Sequence, residues 1–363
     1  MLISADYIYA DGALRPDMAI ETDGLTITAL RPLGRDTADQ HHHLIMPACT
    51  DLQVNGGGGV MLNSTPTPDG IRAIRDAHAR LGTGAILPTV ITDTPDIMES
   101  AADAIIACMG EAGILGIHIE GPHINPVRKG THNADYIRPL DDRTMAVLRR
   151  LRAADVPVLL TLAPEETDLA LIRAAADLGV VVSAGHTMAT ADQARQGMAN
   201  GVTMFTHLFN AMPQMSSRDP GVIAAAILSD AWCGIIADGI HVDWDMLRIA
   251  LAARPRDDRT FIVSDAMATV GGPDHFNLYG ADIYVRDGRL VNAAGSLAGA
   301  HIDMVTSLAN LHRHAGVPLD RAIFMATDAP RAAMGLPGLS VAAGTALRDV
   351  IGLDGDLRLV SVV

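Results

Sequence analysis

The 363-residue sequence predicts an α/β fold: a (β/α)8 barrel of the TIM type with a small β-sandwich domain built from both chain termini. In the middle of the chain, eight apolar runs alternate with segments of helical periodicity, and eight strand-helix units make a closed barrel. Both ends instead alternate apolar and polar residues and carry Asp-Gly turn signals. We therefore expect residues 1–46 and 335–363 to form the small domain and residues 47–334 to form the barrel.

The barrel strands are predicted from runs of β-branched and other apolar residues, which are typical of parallel strands buried on both faces. The runs begin near Leu44, Ala85, Ile114, Val158, Val180, Val202, Gly234 and Phe261. Helix signals lie between them, because Thr94 before Pro95 predicts a helix start and Thr190 with Gln193 has capping-box spacing. A hairpin signal at 283–291 follows the eighth run, and the sequence does not assign it to either domain.

Composition and charge exclude several classes of protein. A formal net charge of -15 opposes binding to nucleic acid or to an anionic membrane, since both require a basic surface. The N-terminus lacks the pattern of a signal peptide and no apolar stretch reaches the roughly 18 residues of a spanning helix, so we expect a cytoplasmic protein. Cys49, Cys108 and Cys233 are widely spaced and odd in number, which predicts buried packing residues rather than disulfides or a thiolate zinc site.

Four ionisable residues, Glu120, His186, His207 and Asp265, each follow one of the apolar runs. The carboxyl ends of parallel barrel strands meet on one face, so these side chains are expected to converge. Two imidazoles and a carboxylate form a three-ligand set typical of catalytic Zn²⁺, with a further position open for water. Asp265 would then carry a proton between that water and a leaving group. A single histidine at a strand end is more often a packing residue, but His186 and His207 are 21 positions apart, one strand-helix unit.

Several motifs carry a resemblance to a known family. They are EGPH at 120–123, KGTHN at 129–133, GHT at 185–187, THLFNAMP at 206–213, RDPG at 218–221, ADGIHV at 237–242 and SDA at 264–266. In this order, from about residue 47 to about residue 335, they closely resemble the N-acetylglucosamine-6-phosphate deacetylase family of the amidohydrolase superfamily. The resemblance implies hydrolysis of the acetamide of N-acetylglucosamine 6-phosphate to glucosamine 6-phosphate and acetate.

The resemblance also implies one divalent metal ion per subunit, held by Glu120 and the two strand-end histidines, with Asp265 as the acid/base. Zn²⁺ is the expected ion, with iron, cobalt and manganese as alternatives. Many amidohydrolases carry an HxH pair for a second metal after the first barrel strand, where this chain has Gln53 and Asn55. Amides are poor ligands for transition metals, so these two are candidates for positioning the water or the ligands. His118, two residues before Glu120, is the main alternative ligand.

For the substrate, the resemblance implies that His132 hydrogen-bonds the acetamide carbonyl and stabilises the oxyanion. His241, Arg218 and the backbone N–H groups near Asn210 and Ala211 would bind the sugar 6-phosphate. Arg218 would reach across from the second subunit of a homodimer. Without the resemblance, Arg218 is interpreted as a solvated loop charge and His241 as a packing residue.

Two other functions remain open at this point. One is a different amidohydrolase reaction, by an N-acetylgalactosamine-6-phosphate deacetylase, an N-acyl amino acid deacylase or a cyclic amidase. The other is a catalytically inactive barrel that serves as a scaffold, which the four strand-end residues argue against. Two further patterns are interpreted as structural. The glycine run at 56–59 is expected to be a flexible loop over the barrel mouth, and the histidines at 41–43 to lie at the domain junction.

Overall fold

The structure is a computed structural model, and it describes residues 1–292, 295 and 297–360. The strands are, in chain order, β1 (Leu2–Ala10), β2 (Ala13–Thr22), β3 (Ile27–Pro32), β4 (Gln40–Pro47), β5 (Cys49–Val54), β6 (Gly56–Gly57), β7 (Val60–Met61), β8 (Thr83–Ile91), β9 (Ile117–Glu120), β10 (Val158–Leu162), β11 (Val181–Ala184), β12 (Val202–Phe205), β13 (Trp232–Ile235), β14 (Thr260–Ile262), β15 (His275–Leu278), β16 (Ala281–Arg286), β17 (Arg289–Asn292), β18 (Val350–Leu353) and β19 (Leu359–Val360).

The α-helices are α1 (Pro68–Ala79), α2 (Pro95–Cys108), α3 (Asp142–Ala153), α4 (Leu169–Asp177), α5 (Ala191–Ala199), α6 (Gly221–Ile227), α7 (Trp244–Ala253), α8 (Met304–His314), α9 (Leu319–Ala326) and α10 (Asp328–Ala333). The predicted helix starts are confirmed. Thr94 caps α2 by accepting a hydrogen bond from the N–H of Ile97, and Thr190 and Gln193 form the capping box of α5.

Eight parallel strands form the barrel sheet, in the order β5, β8, β9, β10, β11, β12, β13, β14. One helix follows each strand, from α1 after β5 to α8 after β14. The seam between β14 and β5 is closed by a bridge between Val54 and Ala266, and the N–H of Asn55 donates to the carbonyl of Ala266 at 2.9 Å. The predicted (β/α)8 barrel is confirmed, and it brings the carboxyl ends of all eight strands to one face.

The first apolar run is divided between two sheets, which differs from the predicted barrel strand near Leu44. Strand β4, which ends at Pro47, pairs with β1 and β18, and the barrel begins two residues later at Cys49. From Leu44 to Cys49 the run contains no polar residue that would mark this change of sheet.

The chain termini form one continuous sheet of six strands, in the order β19, β18, β4, β1, β2, β3. It has its own core, to which Ile3, Ile20, Val341 and Val350 belong. The small β domain built from both termini is thus confirmed, and the strands of the predicted sandwich belong to this single sheet. The exact domain bounds stay a prediction.

The hairpin signal at 283–291 belongs to a small antiparallel sheet of β15, β16 and β17. Its buried side chains, including Ile283, pack in one cluster with Met61, Ile91 and Met267. Ile91 ends the second barrel strand and Met267 follows the eighth. The hairpin therefore packs on the mouth of the barrel and not on the terminal sheet.

The glycine run at 56–59 is a tight hairpin, so the expectation of a flexible loop was wrong. β6 pairs with β7, and the N–H of Gly59 donates to the carbonyl of Ala268 at 2.8 Å. A Cβ atom on Gly56 would lie only 2.4 Å from the carbonyl oxygen of Val60. Glycine is needed here because the backbones approach closely.

All three cysteines are buried and free, as the sequence predicted. Among the described residues, no helix is long and apolar enough to cross a membrane.

Candidate metal centre and active site

Three of the four strand-end residues lie in strained turns just beyond their strands. His186 follows β11 by two residues, His207 follows β12 by two and Asp265 follows β14 by three, whereas Glu120 is the last residue of β9. The φ angles of His186, His207 and Asp265 are 48°, 29° and 52°, in the left-handed region that residues other than glycine rarely adopt. Such strain is retained where the surrounding structure enforces it, and it clusters at functional sites.

The structure brings the three predicted metal ligands together. Nε2 of His186 lies 3.2 Å from Oε1 of Glu120, and Nε2 of His207 lies 3.1 Å from the same oxygen. The two Nε2 atoms are 3.0 Å apart. All three side chains are buried, with at most 7% of their surface exposed.

The donor set fits one metal ion. Ligands at about 2.0–2.1 Å around a tetrahedral Zn²⁺ are separated by roughly 3.3 Å, close to the spacing of these three atoms. Nδ1 of His186 lies 2.8 Å from the carbonyl oxygen of Arg128, so it carries the proton and leaves Nε2 free as a ligand. Burial favours protonation of Glu120, but the effect of the two adjacent histidines outweighs it and holds the pKa of the carboxyl well below its usual value. The site therefore presents one carboxylate and two imidazoles to a single point.

Asp265 lies beside this cluster and is oriented by two amides. Nδ2 of Asn55 donates to Oδ1 of Asp265 at 2.8 Å, and Nε2 of Gln53 donates to the same oxygen at 3.1 Å. Gln53 also donates to Oε1 of Glu120 at 3.0 Å, so it links the acid/base candidate to the metal ligand. Burial, together with the charge of Glu120, raises the pKa of Asp265 to about 6. Gln53 and Asn55 thus contact the carboxylate of Asp265 through one oxygen, Oδ1, and their positioning role stays a prediction.

His132 forms another wall of the same cavity, which has a volume of about 170 Å³. Its ring centroid is 4.4 Å from that of His186, and one of its ring nitrogens lies within 4.8 Å of the ligand atoms of Glu120 and His186. Nδ1 of His132 lies 2.6 Å from Oγ1 of Thr92. Burial lowers the pKa of His132 well below the usual value, so the ring is neutral.

The remaining predicted substrate residues, His241, Asn210 and Ala211, also line this cavity. Nδ1 of His241 lies 2.6 Å from Oδ2 of Asp238, which leaves Nε2 of His241 for a ligand. The N–H of Asn210 donates to the carbonyl of His207 at 2.9 Å. Ala211 has a φ of 51°, and within the part of the chain that the structure describes its N–H has no backbone acceptor. Of the two predicted amides, that of Ala211 is therefore the one left for an anion.

Arg218 is not part of the cavity wall within this chain. It lies in the exposed loop before α6, and none of the residues that line the cavity is an arginine. The structure of one chain therefore does not bring Arg218 to the other site residues.

His118, the alternative ligand, lies in the barrel interior below Glu120. Its Nε2 is 2.8 Å from Oγ1 of Thr161 and its Nδ1 is 3.3 Å from Oγ1 of Thr89, so both ring nitrogens are engaged. Burial lowers the pKa of His118 to about 4. We interpret His118 as a neutral packing residue, held by hydroxyl groups from the two neighbouring strands.

Asp51 is a polar residue of the site region that sequence reasoning did not single out. It is fully buried, and its carboxylate accepts hydrogen bonds from the N–H of Gln53 at 3.1 Å and from the N–H of Ser264 at 3.2 Å, and also from the Ser264 hydroxyl. It thereby joins the strand that carries Gln53 to the segment that carries Asp265. A charged residue inside a strand predicted to be buried is a signal that could have found it.

Comparison with known proteins identifies the family. Residues 44–345 match the amidohydrolase family, which is most of the chain. The chain belongs to the amidohydrolase family. Within this family, the fold and the positions of the strand-end residues described above agree with the resemblance found in the sequence.

Amidohydrolases with deacetylase activity are among the similar proteins. An N-acetylgalactosamine-6-phosphate deacetylase of Shewanella sp. (strain ANA-3) is 34% identical over 98% of this chain and 92% of its own length. An N-acetylglucosamine-6-phosphate deacetylase of Haemophilus influenzae is 32% identical over 91% of this chain and 88% of its own. The structure of an N-acetyl-D-glucosamine-6-phosphate deacetylase mutant of Mycobacterium smegmatis, in complex with N-acetyl-D-glucosamine 6-phosphate, is 29% identical, covers 99% of this chain and 96% of its own, and has a TM-score of 0.89.

Proposed function

We propose that this amidohydrolase hydrolyses the acetamide of N-acetylglucosamine 6-phosphate to glucosamine 6-phosphate and acetate. One observation carries the proposal: the buried ligand atoms of Glu120, His186 and His207 lie 3.0–3.2 Å from one another, in the same cavity as Asp265 and His132. The similar proteins of Haemophilus influenzae and Mycobacterium smegmatis are named as deacetylases of this phosphosugar, and this chain matches them over most of their length. The proposed cofactor is one divalent ion per subunit, with Zn²⁺ first and iron, cobalt or manganese as alternatives.

Asp265 is the proposed acid/base. A bound divalent ion would acidify a water molecule and polarise the acetamide carbonyl. Because two amides fix Oδ1 of Asp265, Oδ2 takes the proton of the attacking water and then passes it to the departing amine. A proton on the amine is required because an amide anion is a very poor leaving group.

The other side chains of the cavity orient the substrate in this proposal. His132 donates a hydrogen bond to the carbonyl oxygen as negative charge develops there. His241, held by Asp238, and the free N–H of Ala211 bind the phosphate. Arg218 completes the phosphate site from the second subunit of a homodimer, which accounts for an exposed arginine outside the cavity of its own chain.

A second candidate substrate is N-acetylgalactosamine 6-phosphate, which differs only in the configuration of one hydroxyl group. It is favoured by the similarity of the chain to a deacetylase of that name. The metal ligands and Asp265 would serve both sugars equally, since the acetamide is the same in each.

We also infer that the protein acts in the cytoplasm, because a sugar phosphate carries a charge that keeps it from crossing membranes. The proposed domain division is 1–46 with 335–363 for the small domain and 47–334 for the catalytic barrel.

Acetate release from N-acetylglucosamine 6-phosphate tests the function. We expect turnover with metal-replete enzyme, loss of turnover after chelation, and recovery when a divalent ion is added back. Unphosphorylated N-acetylglucosamine should react with a much lower kcat/KM. N-acetylgalactosamine 6-phosphate, assayed in parallel, decides between the two phosphosugars.

A matched pair of variants tests the phosphate site. His241→Gln should lower kcat/KM for the phosphosugar and leave that for the unphosphorylated sugar nearly unchanged. His275→Gln replaces an exposed histidine on β15 and should change neither. Equal rates of the wild-type enzyme on both sugars would contradict the phosphate site, and no turnover of either phosphosugar with bound metal would contradict the deacetylase function.

A further inference from the structure

Thr92 holds the ring of His132 by two contacts to one nitrogen. Its Oγ1 lies 2.6 Å from Nδ1 of His132, and its backbone N–H donates to the same atom at 3.4 Å. Thr92 is fully buried and His132 is 3% exposed, so water does not compete for these bonds. A backbone N–H can only donate, and therefore Nδ1 of His132 carries no proton. The proton of the ring is on Nε2, and the hydroxyl of Thr92 donates to Nδ1 as well.

We propose that Thr92 is a positioning residue that fixes His132 as the Nε2–H tautomer, so that His132 donates to the acetamide oxygen and does not become a further metal ligand. The proposal rests on the proposed function for the role of the donated hydrogen bond, but the tautomer itself follows from contacts within the chain.

Because His132 lies close to the candidate metal ligands, its tautomer decides whether it donates a hydrogen bond or binds the metal. One of its ring nitrogens lies within 4.8 Å of the ligand atoms of Glu120 and His186, close enough for a metal ion to recruit it. A nitrogen that carries a proton cannot bind a metal but can donate to a carbonyl oxygen. With the proton on Nδ1 instead, Nε2 would carry a lone pair in place of the N–H that the proposed hydrogen bond requires. Thr92 thus keeps His132 in the role of a donor.

The glycine of the EGPH motif provides the space for this arrangement. Gly121 has a φ of 78°, and a Cβ atom at this position would lie 2.3 Å from Oγ1 of Thr92 and 3.6 Å from Nδ1 of His132. Any side chain here would displace the hydroxyl from the imidazole. Tyr279 supports Thr92 from the other side, since its hydroxyl donates to the carbonyl of Thr92 at 2.5 Å.

Two substitutions separate the hydroxyl of Thr92 from its packing. Thr92→Val keeps the shape of the side chain and removes the donor, whereas Thr92→Ser keeps the donor and removes a methyl group. In metal-replete enzyme we expect Thr92→Val to lower kcat by about 10- to 100-fold with KM within about twofold, the usual range for a group that orients a ligand or catalytic residue. Thr92→Ser should stay within about threefold of the wild type.

Ring nitrogen shifts give a readout that is independent of turnover. In protein labelled with ¹⁵N-histidine, with the His132 signals assigned by their loss in His132→Gln, the wild type should show an unprotonated Nδ1 and a protonated Nε2. Thr92→Val should shift this pattern toward the other tautomer or toward metal ligation, and Thr92→Ser should not. The optical spectrum of the cobalt-substituted enzyme should change only in Thr92→Val if His132 joins the ligand set.

A protonated Nδ1 in the wild type would overturn the proposal, as would a Thr92→Val enzyme with wild-type kcat. Equal losses in both variants, with lowered melting temperatures, would also overturn it, because they would indicate a packing role alone. If Thr92→Val does not fold, Thr92→Ala replaces it, and the wild-type ring shifts decide the tautomer in any case. Absence of acetate release by the wild type would refute the proposed function and leave the ring shifts as the test of Thr92.

Discussion

A cluster of one carboxylate and two histidines is buried at the barrel mouth, and another cluster with the same composition is exposed on the terminal sheet. In the mouth cluster, formed by Glu120, His186 and His207, both Nε2 atoms share one carboxylate oxygen, at 3.2 and 3.1 Å. The two nitrogens are 3.0 Å apart, and the carboxylate side chain is 2% exposed. The three donor atoms face one point from which water is largely excluded.

The sheet cluster, formed by Asp6, His41 and His43, has the same chemistry and the opposite geometry. Each carboxylate oxygen of Asp6 contacts a different histidine. Oδ1 lies 3.1 Å from Nε2 of His41, and Oδ2 lies 2.8 Å from Nδ1 of His43. The side chains are 50%, 58% and 32% exposed. The donors are paired off with one another instead of being directed at a common point.

Residue composition alone therefore does not make a metal site. Both clusters offer a carboxylate and two imidazoles, but only the mouth cluster combines burial with convergence of the donor atoms. Barrel topology supplies that convergence, because the carboxyl ends of β9, β11 and β12 lie on the same face of the barrel. The sheet cluster lies on the two adjacent parallel strands β1 and β4, whose side chains project into solvent.

The largest expected effect is that of Glu120→Gln, which keeps the shape of the side chain and removes the charge of the mouth cluster. A neutral amide is a poor ligand for a transition metal, so we expect the variant to lose its bound ion and, with it, acetate release. Metal content by atomic absorption and the acetate assay measure this. Asp6→Asn is the matched control, a carboxylate-to-amide change in the sheet cluster, and should retain both. Full metal occupancy in Glu120→Gln would contradict the assigned ligand set.

Asp265→Asn tests whether Asp265 acts as an acid/base or is itself a metal ligand of the mouth cluster. We expect kcat to fall by about 10²- to 10⁴-fold, because the variant can no longer carry a proton, while bound metal is largely retained. Metal analysis of the same preparation is the control. Loss of the ion in this variant would show that Asp265 is a ligand, and that the cluster contains four protein ligands and not three.

The mouth cluster was predictable because its signal is local. An apolar run followed at once by an ionisable residue indicates both a buried strand and its functional end, as at Glu120 and Asp265. The barrel was predicted from eight apolar runs that alternate with segments of helical periodicity. The role of Thr92 was not predictable, since it depends on a contact with His132, 40 residues further along the chain.

The division of the first apolar run between two sheets could not be predicted for a related reason. The residues on both sides of the junction, 44–54, are all buried, and the change of sheet between Pro47 and Cys49 depends on partners at the far end of the chain, in β18. The hydrogen bond that the N–H of Ser264 donates to Asp51 joins residues 213 positions apart in the sequence. Long-range pairing of this kind leaves no periodic pattern in the sequence.

Asp51, in the barrel seam beside the mouth cluster, should have an effect of intermediate size on the pH dependence of the free energy of unfolding. Burial raises the pKa of Asp51 to about 7, against 3.8 for a solvated aspartate. Between these values the folded state holds a proton that the unfolded state releases, so stability should fall as pH rises, by up to about 1.4 kcal/mol per pH unit. Asp51→Asn cannot titrate and should lack this contribution.

Urea unfolding of both proteins at several pH values between 4 and 7 measures the effect. The contribution of Asp51 is the difference in slope between the wild type and Asp51→Asn. Parallel pH dependence of the two free energies of unfolding would mean that Asp51 stays ionised in the folded barrel, held by the N–H groups of Gln53 and Ser264.

The smallest expected effect is that of Asp6→Asn in the sheet cluster. Ion pairs between exposed side chains contribute at most about 1 kcal/mol, because water screens the charges and the side chains lose freedom when they pair. We therefore expect the free energy of unfolding to change by less than about 1 kcal/mol. The part of the salt dependence of this free energy that comes from the ion pairs of Asp6 should disappear in the variant.

Isothermal titration with Zn²⁺ compares the two clusters directly: one equivalent should bind tightly to the metal-free wild type and to Asp6→Asn, and none to Glu120→Gln. A second tight equivalent that disappears in Asp6→Asn would mean that the sheet cluster can rearrange around an ion, and that burial is not needed for a metal site in this fold.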